Sequence, residues 1–175
     1  RNLWKNLMTM SRRSFVSSLM ALAAGGLSAC VQADEDKALP LKKSDAEWKS
    51  LLPEDAYAVL FKEDTERPYS SPLNDEKRAG QFICAACYQP LFESAKKFES
   101  GTGWPSFWEP LPGAVATKTD YKLVLPRTEY HCSRCGGHQG HVFEDGPKPT
   151  GLRYCNNGVA LKFVAEGDAL PALRT

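Results

Sequence analysis

The chain has 175 residues, 42% of them hydrophobic, and a formal net charge of +1, which suits one globular domain with an appendage. Four of its 22 basic side chains, Arg1, Lys5, Arg12 and Arg13, and none of its 21 acidic ones fall within residues 1–29, so the rest carries 18 against 21, a net of −3. A mildly acidic body lacks the basic face that displaces counterions from phosphates, which argues against a nucleic-acid partner.

The first segment reads as a targeting signal. Ser11-Arg12-Arg13-Ser14-Phe15-Val16 resembles the twin-arginine export motif. The apolar run that follows, Phe15 to Leu27, is 13 residues long and diluted by Ser17, Ser18, Gly25 and Gly26. A membrane-spanning helix needs about 20. A buried N-terminal helix is the competing reading, disfavoured by paired arginines directly before the run. Leu27-Ser28-Ala29-Cys30 resembles a bacterial lipobox, in which the cysteine becomes the lipidated first residue of the mature protein. Cleavage after Ala33, which discards Cys30, is the alternative. Both place the product in the periplasm or cell envelope, and the first anchors it to the membrane through Cys30. Residues 1–29 are therefore expected to be an export signal and residues 30–43 a polar, flexible tether.

Ser44 followed by Glu47 has the form of a capping box, opening a short helix through Trp48 and Leu51 to Leu52. Pro53 halts it, and Glu54 to Lys62 reads as a second helix carrying Tyr57, Leu60 and Phe61. Arg67 to Gly80, with Pro68, Pro72 and Asn74, reads as loop. After Gly80 the pattern changes to short strands between turns: Gln81–Cys84, Pro90–Phe92, Tyr121–Leu125, Thr128–Cys132, His141–Phe143, Leu152–Cys155 and Val159–Val164. The expected class is mainly β, with antiparallel sheets of short strands and a small helical N-terminal portion. The domain is expected to span residues 44–166, with residues 167–175 as a tail.

Two Cys-x-x-Cys pairs, Cys84 with Cys87 and Cys132 with Cys135, lie 44 residues apart. A two-residue spacing lets each pair bend through a knuckle that aims both sulfurs at one ion, and four thiolates suit tetrahedral zinc. An all-sulfur donor set excludes magnesium and calcium and leaves zinc or iron. Two disulfides, which an extracytoplasmic location favours, or redox-active pairs are the alternatives. Two matched pairs in one small domain favour a single structural zinc, and export of folded cargo would let it load in the reducing cytoplasm.

Cys155 has no close cysteine partner. A free buried cysteine is most often an inert small hydrophobe. Here Arg153 is near enough in sequence to stabilise a thiolate, and His138-Gln139-Gly140-His141 offers two imidazoles for proton transfer. The Gly- and Pro-rich stretch Glu144 to Gly151 suits the presentation of a side chain.

The chain at this point resembles the B-type methionine sulfoxide reductases. The matching motifs are Cys84-x-x-Cys87, Ser100-Gly101-Thr102-Gly103-Trp104-Pro105-Ser106-Phe107, Arg127-Thr128-Glu129, Cys132-x-x-Cys135, His138-x-Gly140-His141-Val142-Phe143 and Gly151-Leu152-Arg153-Tyr154-Cys155-x-Asn157. They span roughly Pro68 to Val164. The resemblance implies a β-rich fold with zinc remote from catalysis. It also implies thiol-dependent reduction of methionine-R-sulfoxide, free or in proteins, as repair of oxidative damage. Cys155 would attack the sulfoxide sulfur and finish as a sulfenic acid, while His138 and His141 polarise or protonate the departing oxygen. Trp104 would wall the substrate methyl group, with Phe143 closing the same pocket. Arg153 is expected at the substrate side, and Asn157 would orient a histidine or the thiolate. As plain structural residues, Trp104 would be core and Asn157 a turn residue. His131 lies outside the motif and receives no role.

One position departs from the family. Many members carry a resolving cysteine where this chain has Thr102. With four cysteines assigned to metal and one to chemistry, only Cys30 remains, and a lipidated Cys30 could resolve nothing. An external, thioredoxin-like thiol donor is therefore expected; the alternative is an unlipidated Cys30 that closes a disulfide with Cys155. A monomer is expected. The rival functions are a zinc-stapled binding module, which the acidic body and Cys155 both oppose, and a redox sensor, which would react once without consuming methionine sulfoxide.

Overall fold

The computed structural model describes residues 41–122 and 125–175. The export signal and Cys30 lie outside the described residues, as does the tether up to Pro40. The capping box forms as read: the Glu47 backbone N–H donates to Ser44 Oγ at 3.3 Å and the Ser44 N–H donates to Glu47 Oε2 at 2.8 Å. Helix α1 runs over Asp45–Leu51, and Pro53 then caps α2, Glu54–Lys62, which ends at Glu63 in the left-handed conformation. The apolar side of α2 buries Ala56, Tyr57, Val59 and Leu60, and Phe61 stacks on Trp48 with centroids 4.8 Å apart. Among the described residues no helix is long and apolar enough to cross a membrane.

Among the described residues nine strands follow, in two antiparallel sheets. The smaller has β1 (Gly80–Cys84) at its centre, between β2 (Pro90–Glu93) and β9 (Leu161–Ala165). The larger runs in the order β3 (Lys97–Phe98), β4 (Ser106–Phe107), β8 (Arg153–Asn156), β7 (His138–Phe143), β6 (Arg127–Cys132) and β5 (Val115–Asp120). The core is aromatic: Phe92 stacks on Phe107 at 4.2 Å, Phe82 meets Phe107 edge-on at 4.9 Å, and Tyr130 meets Tyr154 edge-on at 5.2 Å. The mainly β, antiparallel reading holds.

Two features of the larger sheet position the site. Strand β7 lies between β6 and β8, which sets His141 directly opposite Cys155. The approach is close because residue 140 is glycine: a Cβ there would lie 1.8 Å from the Cys155 carbonyl oxygen.

One expected strand does not form over its described residues. The described residues of Tyr121–Leu125 lie outside any strand, and Tyr121 and Leu125 are each 75% exposed. The strand is instead Val115–Asp120, paired residue for residue with β6 from Val115 opposite Cys132 to Asp120 opposite Arg127. Its sequence is Val-Ala-Thr-Lys-Thr-Asp, polar because it is a sheet edge with four successive exposed residues, so no apolar alternation marks it. The two-residue strands β3 and β4 are too short to carry a period.

Candidate active site

The two knuckles are built alike. The N–H of Tyr88 donates to the Cys84 carbonyl and that of Gly136 to the Cys132 carbonyl, each at 2.9 Å, and Tyr88 and Gly136 both take positive φ (67° and 73°). This turns the four sulfurs toward one point. All four Sγ atoms lie within 4.8 Å of one another, with Cys84 to Cys135 at 3.7 Å and Cys87 to Cys132 at 3.5 Å. Metal–sulfur bonds of about 2.3 Å in a tetrahedron put sulfurs about 3.8 Å apart, so the donor set fits a four-thiolate ion. None of the four is in a disulfide. Hydrogen bonding to Cys132 comes first in holding the thiols of Cys84 and Cys135 up, and the same contact pushes Cys87 down. A cation would relieve this conflict by taking all four as thiolates. Arg174, in the stretch read as a tail, closes over this site: its N–H donates to the Cys87 carbonyl at 3.1 Å and its guanidinium to the Ala86 carbonyl at 3.0 Å.

Cys155 sits in a separate cleft of about 120 Å³, together with Trp104, His141, Phe143, Asn157, Arg127 and Thr65. Five residues singled out in the sequence therefore meet. His138 does not line this cleft: it is 3% exposed, and its ring lies edge-on to that of His141, centroids 5.4 Å apart. Arg153 is also buried, held by Asp145 through Nε at 2.8 Å and an Nη at 2.9 Å, and its guanidinium covers the Phe143 ring at 4.3 Å. It fixes that wall and does not line the cleft. Burial pushes the Cys155 thiol up, and the Arg153 charge and the Thr102 hydroxyl offset this only in part.

Behind the cleft stand two carboxylates that sequence reasoning did not assign. Asp120 Oδ2 lies 2.8 Å from His141 Nε2 and 2.6 Å from an Arg127 Nη. The Lys122 N–H, then His141, then Arg127 hold the Asp120 carboxyl far below its ordinary range, while burial, opposed by Asp120, pushes the His141 imidazole down. The ionised Asp120 fixes the tautomer: Nε2 carries the hydrogen and Nδ1 is left free. Glu129 serves two rings at once, Oε1 to His138 Nδ1 at 2.7 Å and Oε2 to His131 Nδ1 at 3.0 Å. Burial would raise Glu129, but these two partners outweigh it and bring its pKa to about 2.

Asn157 hydrogen-bonds to neither an imidazole nor Cys155. Its Nδ2 donates to the Gln139 carbonyl at 3.0 Å and its Oδ1 accepts from the Glu66 N–H at 3.1 Å. Glu66 also accepts from Trp104 Nε1 at 3.2 Å through its carbonyl and from the Gly158 and Val159 N–H groups through its carboxylate. The loop after α2 thus sets the tryptophan wall, a link without a short-range sequence signal. Gln139, fully buried, joins the two sites: its side-chain amide donates to Cys84 Sγ at 3.6 Å while its carbonyl accepts from Asn157.

Comparison with known proteins agrees with this geometry. Residues 52–165 match the model of the SelR domain family. The chain is 47% identical over 131 residues to the peptide methionine sulfoxide reductase MsrB of Hahella chejuensis, covering 74% of this chain and 94% of that protein. It is 51% identical over 129 residues to the MsrB of Methanosarcina mazei, covering 73% and 92%. With the MsrB of Agrobacterium fabrum the identity is 49% over 124 residues, covering 70% and 92%.

Proposed function

The chain belongs to the SelR-domain family, the B-type methionine sulfoxide reductases, and on that footing we propose that it reduces methionine-R-sulfoxide in oxidised proteins, with Cys155 as nucleophile. The observation that carries this reading is the placement of Cys155 opposite His141 in a cleft walled by Trp104 and Phe143. His141 Nδ1 takes the thiol proton, and Asp120 stabilises the imidazolium so formed. The thiolate attacks the sulfoxide sulfur and His141 returns the proton to the oxygen; the hydroxyl then passes from the methionine sulfur to the Cys155 sulfur, so that the methionine S–O bond and the transient bond between the two sulfurs break as the Cys155 S–O bond forms. Methionine leaves with two electrons gained, and Cys155 is left as a sulfenic acid. His138 acts on the reaction through His141, and Arg153 through Phe143 and its charge.

Restoring the thiol takes two external thiols. The first displaces water to form a mixed disulfide on Cys155, and the second releases Cys155 as thiol. Thr102 cannot resolve the sulfenic acid, so a thioredoxin-like donor is part of the cycle. The ion in the four-cysteine site is zinc. It would supply folding free energy and, being closed by four thiolates, no open position for chemistry. The protein works as a monomer in the cell envelope, anchored by lipid on Cys30. Peptide mapping of membrane-extracted protein tests that location: acylated Cys30 supports it, and a Cys30–Cys155 disulfide refutes it.

Activity is tested with separated epimers and dithiothreitol. The R epimer is consumed in many turnovers and the S epimer is not. Turnover of the S epimer alone, or of neither, would overturn the reading.

A further inference from the structure

The small cleft adjoins a broader hollow of about 900 Å³, the two sharing Arg127 and Phe143 as walls. Beyond these the hollow is lined by Leu125, Pro126, Val142 and Leu152 with Thr128, and only Arg127 and Glu144 in its lining carry charge. Leu125 is 75% exposed there. A contiguous apolar patch left open to water beside a reactive group marks a binding surface more often than an isolated leucine does.

We infer that this hollow receives the residue next to methionine sulfoxide in an unfolded stretch of polypeptide, and that it selects an apolar one. The inference rests on the reading of Cys155 as the sulfoxide-reducing nucleophile. A sulfoxide inside a protein continues as chain on both sides, and its neighbours begin only about 3.8 Å away, Cα to Cα. With the sulfoxide held between Trp104 and Phe143, the neighbouring side chain meets the space that shares Phe143 as a wall. The chemistry of the substrate points the same way. Methionine is a core and interface residue, and its oxidation puts a polar, chiral group among apolar neighbours and loosens the segment. Sequences that need repair are therefore rich in apolar residues beside the sulfoxide, and these would cover Leu125 and Leu152.

The test uses the full chain in single turnover without reductant, so that thiol-donor docking plays no part. Three R-sulfoxides are compared: a peptide with leucine on both sides, the same peptide with serine, and N-acetyl-methionine sulfoxide amide. Burial of one leucine predicts that the leucine peptide reacts roughly tenfold faster at subsaturating concentration than the serine peptide. Leu125→Asp, at an exposed position, abolishes that preference and leaves the small amide unchanged. Equal rates for the two peptides overturn the inference. So does a Leu125→Asp variant that keeps the preference, or one that slows only multiple turnover with a protein thiol donor, which would assign the hollow to the donor. Loss of Leu125-dependent self-association would assign it to a second copy. Failure of all three substrates with the unaltered chain would overturn the reading of Cys155 itself.

Discussion

Asp120 and His141 come from the outer edge strand and the second strand in from it, yet Asp120 Oδ2 lies 2.8 Å from His141 Nε2. The two side chains meet across β6 at its Arg127 end, where Arg127 stands opposite Asp120. This pair decides how His141 can serve Cys155. An ionised carboxylate on Nε2 favours the imidazolium, so replacing it with a neutral amide lowers the His141 pKa further below its ordinary value. Asp120→Asn is therefore expected to lower kcat about 10²-fold, the scale of general acid–base assistance. It should also shift toward acid the limb of the rate–pH profile that depends on protonated His141. An unchanged profile would remove Asp120 from the mechanism.

The metal site predicts a different kind of loss. Cys132→Ser removes one of the four clustered sulfurs, 3.5 Å from Cys87, and touches no residue of the cleft around Cys155 that the mechanism uses. Metal content by elemental analysis should fall, and the melting transition should drop by tens of degrees or vanish, since metal-binding free energy is folding free energy. A variant that melts normally without metal would show that the four cysteines staple nothing.

Cys155 is pushed up by burial against the partial pull of Arg153 and Thr102. In the free enzyme its alkylation by iodoacetamide should therefore keep accelerating above about pH 9, beyond the ordinary thiol range. Thr102→Val should move the curve further toward alkali. The sign is fixed by which side is charged: removing a donor to the thiolate disfavours the ionised form. A Cys155 that reacts at full rate at neutral pH would contradict the burial.

The Thr102 hydroxyl, 2.8 Å from Ser100 Oγ, is among the groups that pull the Cys155 thiol down. Thr102→Cys should accordingly create an internal resolving thiol. After one turnover the variant should hold a disulfide between the introduced thiol and Cys155, found by non-reducing peptide mapping, where the unaltered chain holds a sulfenic acid. Persistence of the sulfenic acid in the variant would mean that the 100–104 loop does not approach the nucleophile.

Much of this was legible in the residues. The Ser44–Glu47 box, Pro53 and the two Cys-x-x-Cys pairs are local signals, and each formed as read. Cys155, Trp104, His141, Phe143 and Asn157 were found as one constellation because motif spacing names them together. The carboxylates were missed for a physical reason. Glu129 and Asp120 find their imidazoles only through strand register, Asp120 from a polar edge strand whose pattern resembles loop. Tyr121–Leu125 misled in the opposite sense, since its apolar ends, Tyr121 and Leu125, are exposed and lie outside any strand. His138 looked equivalent to His141 in the sequence. It is separated from the cleft by burial and by its bond to Glu129.

The most direct test of the account is the intact mass of the purified chain after one equivalent of methionine-R-sulfoxide without reductant. One oxygen atom should be gained per chain, trapped by a dimedone-type reagent on Cys155 alone, with one methionine released and metal retained. Cys155→Ser should gain nothing and release nothing while keeping its fold and metal. Oxygen found on a metal-site cysteine, or methionine released by Cys155→Ser, would contradict the assignment of Cys155 as the nucleophile.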